Sequence, residues 1–302
     1  MRIGVDLGGT KIEVALLDDN GNIRFRHRME TPQGDYAATL AAVAALVAQA
    51  DAQAGRPDAS VGIGIPGAVS PATGLVKNAN STWLNGRPLD RDLTAALGRP
   101  VRIANDANCF ALSEAVDGAG AGAPAVFGVI LGTGVGGGLA MAGRVVTGAN
   151  AIAGEWGHNP LPWPEPAEMP GRRCWCGRHG CIESWVSGPA LARTHREATG
   201  EELDAASIAA KADSDPDAAQ TMALYEDRLA RALAHVVNIL DPDAIVLGGG
   251  LSNIARLYRN LPALMEGRVF SDRIATRILP PRHGDSSGVR GAAWLWPVEA
   301  SP

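Results

Sequence analysis

No block of lysine or arginine runs through this chain of 302 residues, and its net charge is -5. It therefore lacks the electrostatic footprint of a nucleic-acid binder. The chain enters a strand pattern at once, Arg2-Ile-Gly-Val-Asp-Leu7, so no signal peptide is expected. One uncharged run, residues 118–143, has the length of a membrane span, but its ten glycines and one proline make it strand–turn–strand, and no membrane partner is expected. Cysteine is scarce, with four in the chain and three of those within eight residues. That excludes a disulfide framework and fits a reducing, cytoplasmic location. What remains is 46% apolar and 20% charged, an ordinary globular balance at a length that can bury one large core or two modest ones.

The clustered cysteines are the most informative feature. Cys174-x-Cys176-x4-Cys181, with glycines between, has the spacing of metal ligands, because glycine lets the chain fold tightly enough for several thiolates to face one point. A disulfide between Cys174 and Cys176 would be badly strained, and the third cysteine would be left odd. A fourth ligand is needed. His158 is the nearest upstream candidate. His179 is the alternative, ranked lower because its place inside the knot makes a tetrahedral wrap harder. Three thiolates and an imidazole leave no open position, so a zinc ion here would be structural.

Along the chain, alternation predicts strands at 2–7, 12–16 and 23–28, the first two joined by Asp6-Leu-Gly-Gly-Thr-Lys11. A helix follows at 36–54, a strand at 61–65, a short helix near 91–97, a strand at 101–104 and a helix at 107–116. Ala119-Gly-Ala-Gly-Ala-Pro124 is the best boundary signal. Beyond it the opening pattern recurs: a strand at 126–131, a glycine-rich turn at 132–138, and strands at 139–141 and 144–147. That recurrence predicts duplicated domains facing each other. A proline-rich insert spans 150–173. Ser187 caps a helix, a long amphipathic helix runs over 217–240, and a strand at 244–247 ends in Gly248-Gly249-Gly250. A helix at 253–266, a strand at 274–279 and a helix at 289–296 close the chain.

Glycine-rich hairpins let backbone N–H groups and a threonine hydroxyl approach phosphate oxygens, and two of them plus a third glycine cluster describe a nucleotide site. Asp6 would face a magnesium ion on the phosphates through water. Asp106 has two readings, a helix cap or a general base that takes a proton from an alcohol attacking a γ-phosphate. Glu155, His158 and Glu183 flank the cysteines. They are either solvated loop residues or groups that a metal-fixed loop presents to sugar hydroxyls, with one His158 nitrogen on the metal and the other toward a hydroxyl. Cys109 reads as a small core residue. Trp83, Trp156, Trp163 and Trp175 read as loop packing rather than a stacking platform.

Together, Asp6-Leu-Gly-Gly-Thr-Lys11, Asn105-Asp106-Ala107-Asn108, Leu131-Gly-Thr-Gly134, Gly154-Glu-Trp-Gly-His158 and Cys174-x-Cys-Gly-x-x-Gly-Cys181-x-Glu183 resemble the ROK family of sugar kinases, over essentially the whole chain. The resemblance implies an α/β two-domain sugar kinase/actin-like ATPase (ribonuclease H-like) fold with an active-site cleft between the domains. These would be a small domain of residues 1–118 plus 287–302, and a large domain of residues 119–286 carrying the zinc loop. It implies Asp106 as catalytic base and Gly67, Asn80, Asn105, Asp106, Glu155, His158 and Glu183 at the sugar. It implies Gly4, Asp6, Gly8, Gly9, Thr10, Lys11, Gly132, Thr133, Gly134, Gly136, Gly249 and Gly250 at the nucleotide. The zinc ligands would be His158, Cys174, Cys176 and Cys181.

The implied cofactors are ATP, magnesium and a structural zinc, the partners a hexose and ATP, and the assembly a homodimer. Residues 76–86, 154–163 and 284–296 resemble the bacterial fructokinase/mannokinase branch, implying transfer to the 6-hydroxyl of D-fructose and of D-mannose. The N-acetylglucosamine and glucose kinases of the family are the alternative, the former differing around Asn80-Ser-Thr-Trp. Repressors of the same family carry a helix-turn-helix ahead of the first hairpin. Here that hairpin starts within ten residues of Met1, so none is expected. An actin-like structural ATPase would have no use for Glu155, Glu183 and the metal knot.

Overall fold

The computed structural model describes residues 1–55 and 58–296; the end of the expected 287–302 segment, from 297 on, lies outside them. The chain begins with β1 (Arg2–Leu7), β2 (Lys11–Leu17), β3 (Ile23–Glu30), α1 (Tyr36–Ala54), β4 (Ser60–Ile65) and the short hairpin β5 (Ala68–Val69) and β6 (Val76–Lys77). Then come α2 (Leu89–Leu97), β7 (Val101–Asn105), α3 (Asp106–Val116), β8 (Ala125–Leu131), β9 (Val135–Met141) and β10 (Arg144–Val145). The remainder is α4 (Glu183–Val186), α5 (Gly188–Thr199), α6 (Ala205–Lys211), α7 (Pro216–Leu240), β11 (Ala244–Gly248), α8 (Ala255–Met265), β12 (Arg277–Leu279) and α9 (Ser287–Trp294). By contacts the chain divides into two compact units. One is Met1–Gly122, Gly138–Ala153 and Arg282–Pro302; the other is Ala123–Gly137 and Gly154–Pro281.

Two five-stranded sheets repeat one strand order, β3-β2-β1-β4-β7 and β10-β9-β8-β11-β12. In the first, β1 pairs antiparallel with β2 and parallel with β4. The alternation that marks β1 and β2 in sequence is only half of their burial. Ile12, Val14 and Leu16 face a core shared with Val43, Leu46 and Val47 of α1. Ala15 and Leu17, on the other face, pack with Leu112, Val289, Ala293 and Trp294. Strands buried on both faces are expected where helices cover both sides of a sheet.

Small residues set how closely α9 can lie. A Cβ on Gly4 would sit 1.9 Å from the Val289 carbonyl oxygen, and one on Gly62 would sit 1.8 Å from that of Ala292. The buried carboxylate of Glu114 then ties the end of α3 to the returning chain, accepting from Ser287 Oγ at 2.8 Å, Ala119 N at 2.8 Å and Arg282 N at 3.1 Å. Cys109 is fully buried, as its core reading requires. Helix α1 is long and apolar enough by composition to cross a membrane. Its buried residues, Thr39, Ala42, Val43, Leu46, Val47 and Ala50, lie on one face, five of them in the β-sheet core.

In the second unit α7 contacts α5, α6 and α8, and it also anchors the proline-rich insert. Glu168 accepts from Arg228 Nε at 2.7 Å and from Arg231 at 2.8 and 2.9 Å. Burial alone would raise the Glu168 pKa, but the bonds from Arg231 and Arg228 outweigh it and bring it down to about 2.

Several expected boundaries shift. The strand expected at 274–279 shortens to Arg277–Leu279, because only these residues find partners on β11. The helix expected at 253–266 is α8, which begins two residues later, after a tight turn at Gly250–Asn253, and ends at Met265. The strand expected at 144–147 shortens to Arg144–Val145, with Val146 N still donating to the Leu139 carbonyl at 2.8 Å. The β5–β6 hairpin, α4 and α6 were not anticipated; α6 carries a clear signal in retrospect, since Asp204 caps it by accepting from Ser207 N at 2.7 Å.

Adding one methyl group at the α9 contact should be felt. Gly62→Ala is expected to destabilise the fold by about 1–3 kcal/mol, as overpacking of a filled interior does. Chemical denaturation checks it, and an unfolding midpoint equal to that of the parent would contradict the packing role.

Candidate active site

In the first unit the β1–β2 turn closes with Gly8 N–H donating to the Lys11 carbonyl at 2.9 Å. A Cβ on Gly8 would lie 2.8 Å from that same oxygen, so glycine is required here. The turn opens on a cavity of about 280 Å³ lined by Asp6, Gly8, Thr10, Lys11, Glu13 and Arg28. Glu13 and Arg28 were not singled out in the sequence, yet Glu13 is directly opposite Asp6 in the β1–β2 register and pairs with Arg26 and Arg28. The Asp6 carboxyl is pushed up to about 7. Burial is the largest cause, the charges of Asp106 and Glu13 add to it, and Arg28 opposes it. Gly4 lies within β1 against α9, away from this turn.

Asp106 is the first residue of α3. The cap is Asn105, whose Oδ1 accepts from Ala107 N at 3.0 Å and whose Nδ2 donates to the Gly67 carbonyl at 3.0 Å. Capping is therefore met without Asp106. Its carboxylate sits in the first helical turn, accepting from Ala107 N at 2.8 Å, where the helix dipole favours negative charge. Gly67 holds φ +72, and a Cβ there would fall 2.3 Å from the Lys77 carbonyl oxygen. Asn80 is exposed on a neighbouring loop. Asn85 clamps that loop by accepting from Ala79 N and donating to the Ala79 carbonyl, both at 2.9 Å.

In the second unit β8 and β11 run parallel, so the glycine runs at their C-terminal ends come together. A cavity of about 970 Å³ is lined by Gly132, Thr133, Gly250 and residues of α5, α6 and α8, among them Gly188, Ala205 and Arg256. That is ample for a nucleotide, at the strand ends where open α/β sheets bind ligands. The α6 wall is the part the sequence reading missed. Its signal is small residues at helical spacing, Ala205 with Ala209 and Ala206 with Ala210. Gly249, at φ +78, packs on the end of β8, where a Cβ would meet the Leu131 carbonyl oxygen at 2.4 Å. The Gly136 carbonyl accepts from Trp156 Nε1 at 2.9 Å, which makes it an anchor for the next segment.

That segment alternates between anchors and presented groups. Trp156 is buried with its edge against Phe127, and a Cβ on Gly157 would strike the Val135 carbonyl oxygen at 2.2 Å. Between and beyond these anchors, Glu155 is exposed and His158 half-buried. One ligand atom each from His158, Cys174, Cys176 and Cys181 lie within 4.8 Å of one another. His158 Nδ1 is 3.6 Å from Cys174 Sγ, and Cys176 Sγ is 3.6 Å from Cys181 Sγ. Sulfurs on a tetrahedral zinc stand about 3.8 Å apart, from bonds near 2.3 Å. The donor set and its spacing fit that ion. His179 instead pairs through its backbone with Arg173 and is outside the cluster.

Glu183 starts α4 two residues beyond Cys181. Its Oε2 accepts from Val135 N at 3.0 Å and its Oε1 from Trp175 Nε1 at 2.6 Å. A Cβ on Gly134 would come within 2.7 Å of Oε2, so glycine makes room for this carboxylate. The expectation that four tryptophans only pack loops holds for Trp156 and for Trp83, which joins the β-sheet core. It fails for Trp163 and Trp175, which are 52% and 77% exposed.

Comparison with known proteins extends these observations. The chain is 43% identical over 300 residues to an N-acetyl-D-glucosamine kinase of Escherichia coli O1:K1 / APEC, covering 98% of this chain and 99% of that one. Among solved structures it matches the ROK hexokinase of Thermus thermophilus at 30% identity and TM-score 0.86, covering 97% of each chain. It also matches a ROK family glucokinase of Streptomyces griseus, solved with glucose and AMPPNP, at 29% identity and TM-score 0.75, covering 97% of this chain and 98% of that one. The fold is thus the α/β two-domain fold that the motifs implied. With residues 2–299 matching the family as a whole, the chain belongs to the ROK family.

Proposed function

We propose that this chain is an ATP-dependent hexose kinase that phosphorylates the 6-hydroxyl of N-acetyl-D-glucosamine. The observation that carries this reading is the 43% identity, sustained over 98% of the chain, to an N-acetyl-D-glucosamine kinase. It replaces the expectation of D-fructose or D-mannose. The segments that resembled the fructokinase/mannokinase branch serve loop closure and anchoring as much as sugar choice. Asn85 clamps its loop and Trp156 is a buried anchor. Sugar identity depends instead on which buried groups lose a partner with the wrong substituent.

In this reading Asp106 is the general base. Its carboxylate takes the proton of the 6-hydroxyl as that oxygen bonds to the γ-phosphorus and the bond to the ADP oxygen breaks. Glu155, His158 and Glu183, with Asn80, Asn105 and Gly67, read the sugar. Asn105 keeps one amide hydrogen beyond its cap and Gly67 bonds, and Glu183 Oε2 keeps a lone pair beyond its bond from Val135 N. The two hairpin turns and Gly249–Gly250 take the nucleotide. Asp6 would hold magnesium through water, and that ion would supply charge neutralisation on the phosphates. Its negative partner is suited to the task, because a cation relieves the burial and like-charge repulsion that raise Asp6.

A coupled ADP-release assay over N-acetyl-D-glucosamine, D-glucose, D-fructose and D-mannose tests the reading. N-acetyl-D-glucosamine is expected to give the highest kcat/KM. Asp106→Asn should lower its kcat by roughly 10²–10⁴-fold with sugar KM little changed. Preference for fructose would restore the other branch, and near-normal turnover by the variant would remove Asp106 from its role.

Asp6 carries a second test, without any ligand. Its folded carboxyl binds a proton more tightly than the unfolded group at 3.8, so its contribution to stability is complete below that value and is lost as pH rises through about 7. The stability of the parent relative to Asp6→Asn should therefore fall as pH rises from 3.8 to about 7 and level off above, in metal-free, nucleotide-free denaturation. Parallel pH profiles would contradict the assigned environment.

A further inference from the structure

Trp175 lies between two cysteines of the cluster and is 77% exposed. An indole left in water forgoes roughly 25 cal/mol for each Å² it could have buried, so packing does not explain its position. Its polar contact does. Nε1–H donates to Glu183 Oε1 at 2.6 Å. The other side of the same carboxylate is held by Val135 N–H on Oε2 at 3.0 Å. Two donors from two directions fix the carboxylate plane. The indole is itself braced, with its ring and that of His158 meeting edge to face at 4.9 Å and 82°. His158 in turn points Nδ1 at Cys174 Sγ, 3.6 Å away.

We propose that Trp175 is a positioning residue for sugar recognition, holding the Glu183 carboxylate in the orientation that reads sugar hydroxyls. This rests on the kinase reading above, in which Glu183 accepts from the substrate. A carboxylate has about four acceptor positions; Trp175 and Val135 occupy two of them, one on each oxygen, and Cys174 Sγ, 3.9 Å from Oε1, faces a third. The remaining lone pair keeps a fixed direction, so a sugar hydroxyl meets an acceptor that loses no rotamer freedom on binding. Hydrogen bonds to charged groups are the strong ones, and this is a short one. The sequence gives a reason to look between the cysteines. The Cys-x-Cys spacing leaves one residue, Trp175, exposed between two members of the cluster.

The experiment is a double-mutant cycle on the full chain. Binding of N-acetyl-D-glucosamine without ATP is measured by calorimetry for the parent, Trp175→Phe, Glu183→Gln and the double variant, with Trp175→His alongside and zinc content measured on each. Trp175→Phe keeps an aromatic edge for His158 and loses the N–H. It is expected to weaken sugar binding about tenfold, the scale of a hydrogen bond to a charged group. Sugar KM should rise in step, while KM for ATP stays within about twofold, since a positioning residue on the sugar side does not touch ATP.

Trp175→His, which retains a ring N–H, should recover most of the loss. In the Glu183→Gln background Trp175→Phe should add almost nothing, because the two residues act as one unit. Sugar binding by Trp175→Phe equal to the parent overturns the proposal. So do additive losses in the double variant, which would signal general damage to the knot. If the parent itself turns over no sugar, the kinase reading falls and this inference falls with it. If the parent is an active kinase and Trp175→Phe matches it, only this inference falls.

Discussion

Three thiols and one imidazole nitrogen within 4.8 Å of one another are the constraint on which the second unit's proposed sugar-side residues depend. The stretch from Gly154 to Glu183 has little regular structure of its own. It contains one short 3-10 turn, two isolated bridges and a cis proline, and α4 starts only at its last residue. Backbone bonds join its two ends, from Glu183 N to the Gly157 carbonyl and from Ile182 N to that of Asn159, both at 2.9 Å, and from Leu161 N to that of Gly180 at 2.8 Å. The cluster supplies a single point through which His158, Cys174, Cys176 and Cys181 are joined. Trp156 and Gly157 fasten the leading end to β8 and β9, and Glu168 fastens the middle to α7 through Arg228 and Arg231. Glu155, His158, Trp175 and Glu183 are then presented from a rigid base.

Glycine does two different things in this molecule. At Gly8, Gly132 and Gly250 it exposes backbone beside cavities of about 280 and 970 Å³. At Gly4, Gly62 and Gly249 it admits another stretch of backbone, at distances where a Cβ would collide. A motif such as Asp6-Leu-Gly-Gly-Thr-Lys11 looks the same in either case. Only the three-dimensional neighbour tells a ligand loop from a packing contact: Gly4 packs against α9, and the Gly136 carbonyl anchors Trp156.

Much of the architecture was legible because its signals are local. The period-2 runs of β1 and β2, the glycine turns, the Ser187 cap and the long α7 all carry their own periodicity or stop signals. The repeated strand order followed from seeing one pattern twice. The cysteine spacing predicted a ligand cluster, and proximity then selected His158 over His179. The illegible parts depend on distant partners. β12 is as short as its pairing with β11 allows. Glu13 enters the Asp6 cavity only because the β1–β2 register sets them opposite. Trp175 looked like loop packing because burial cannot be read from an isolated indole. Sugar preference was the least legible part, since the motifs point to phosphoryl transfer and the metal knot, while a sugar is chosen by the pocket around them.

The central claim is that the Cys3His cluster holds a structural zinc ion and that this ion keeps the sugar-reading residues in place. Zinc content and N-acetyl-D-glucosamine affinity, measured on the reduced chain before chelation, after chelation and after zinc is restored, test it most directly. The account predicts one zinc per chain, a loss of sugar binding and a lower melting midpoint without it, and recovery of both when it is returned. A metal-free chain that binds the sugar equally well and melts at the same temperature would contradict it.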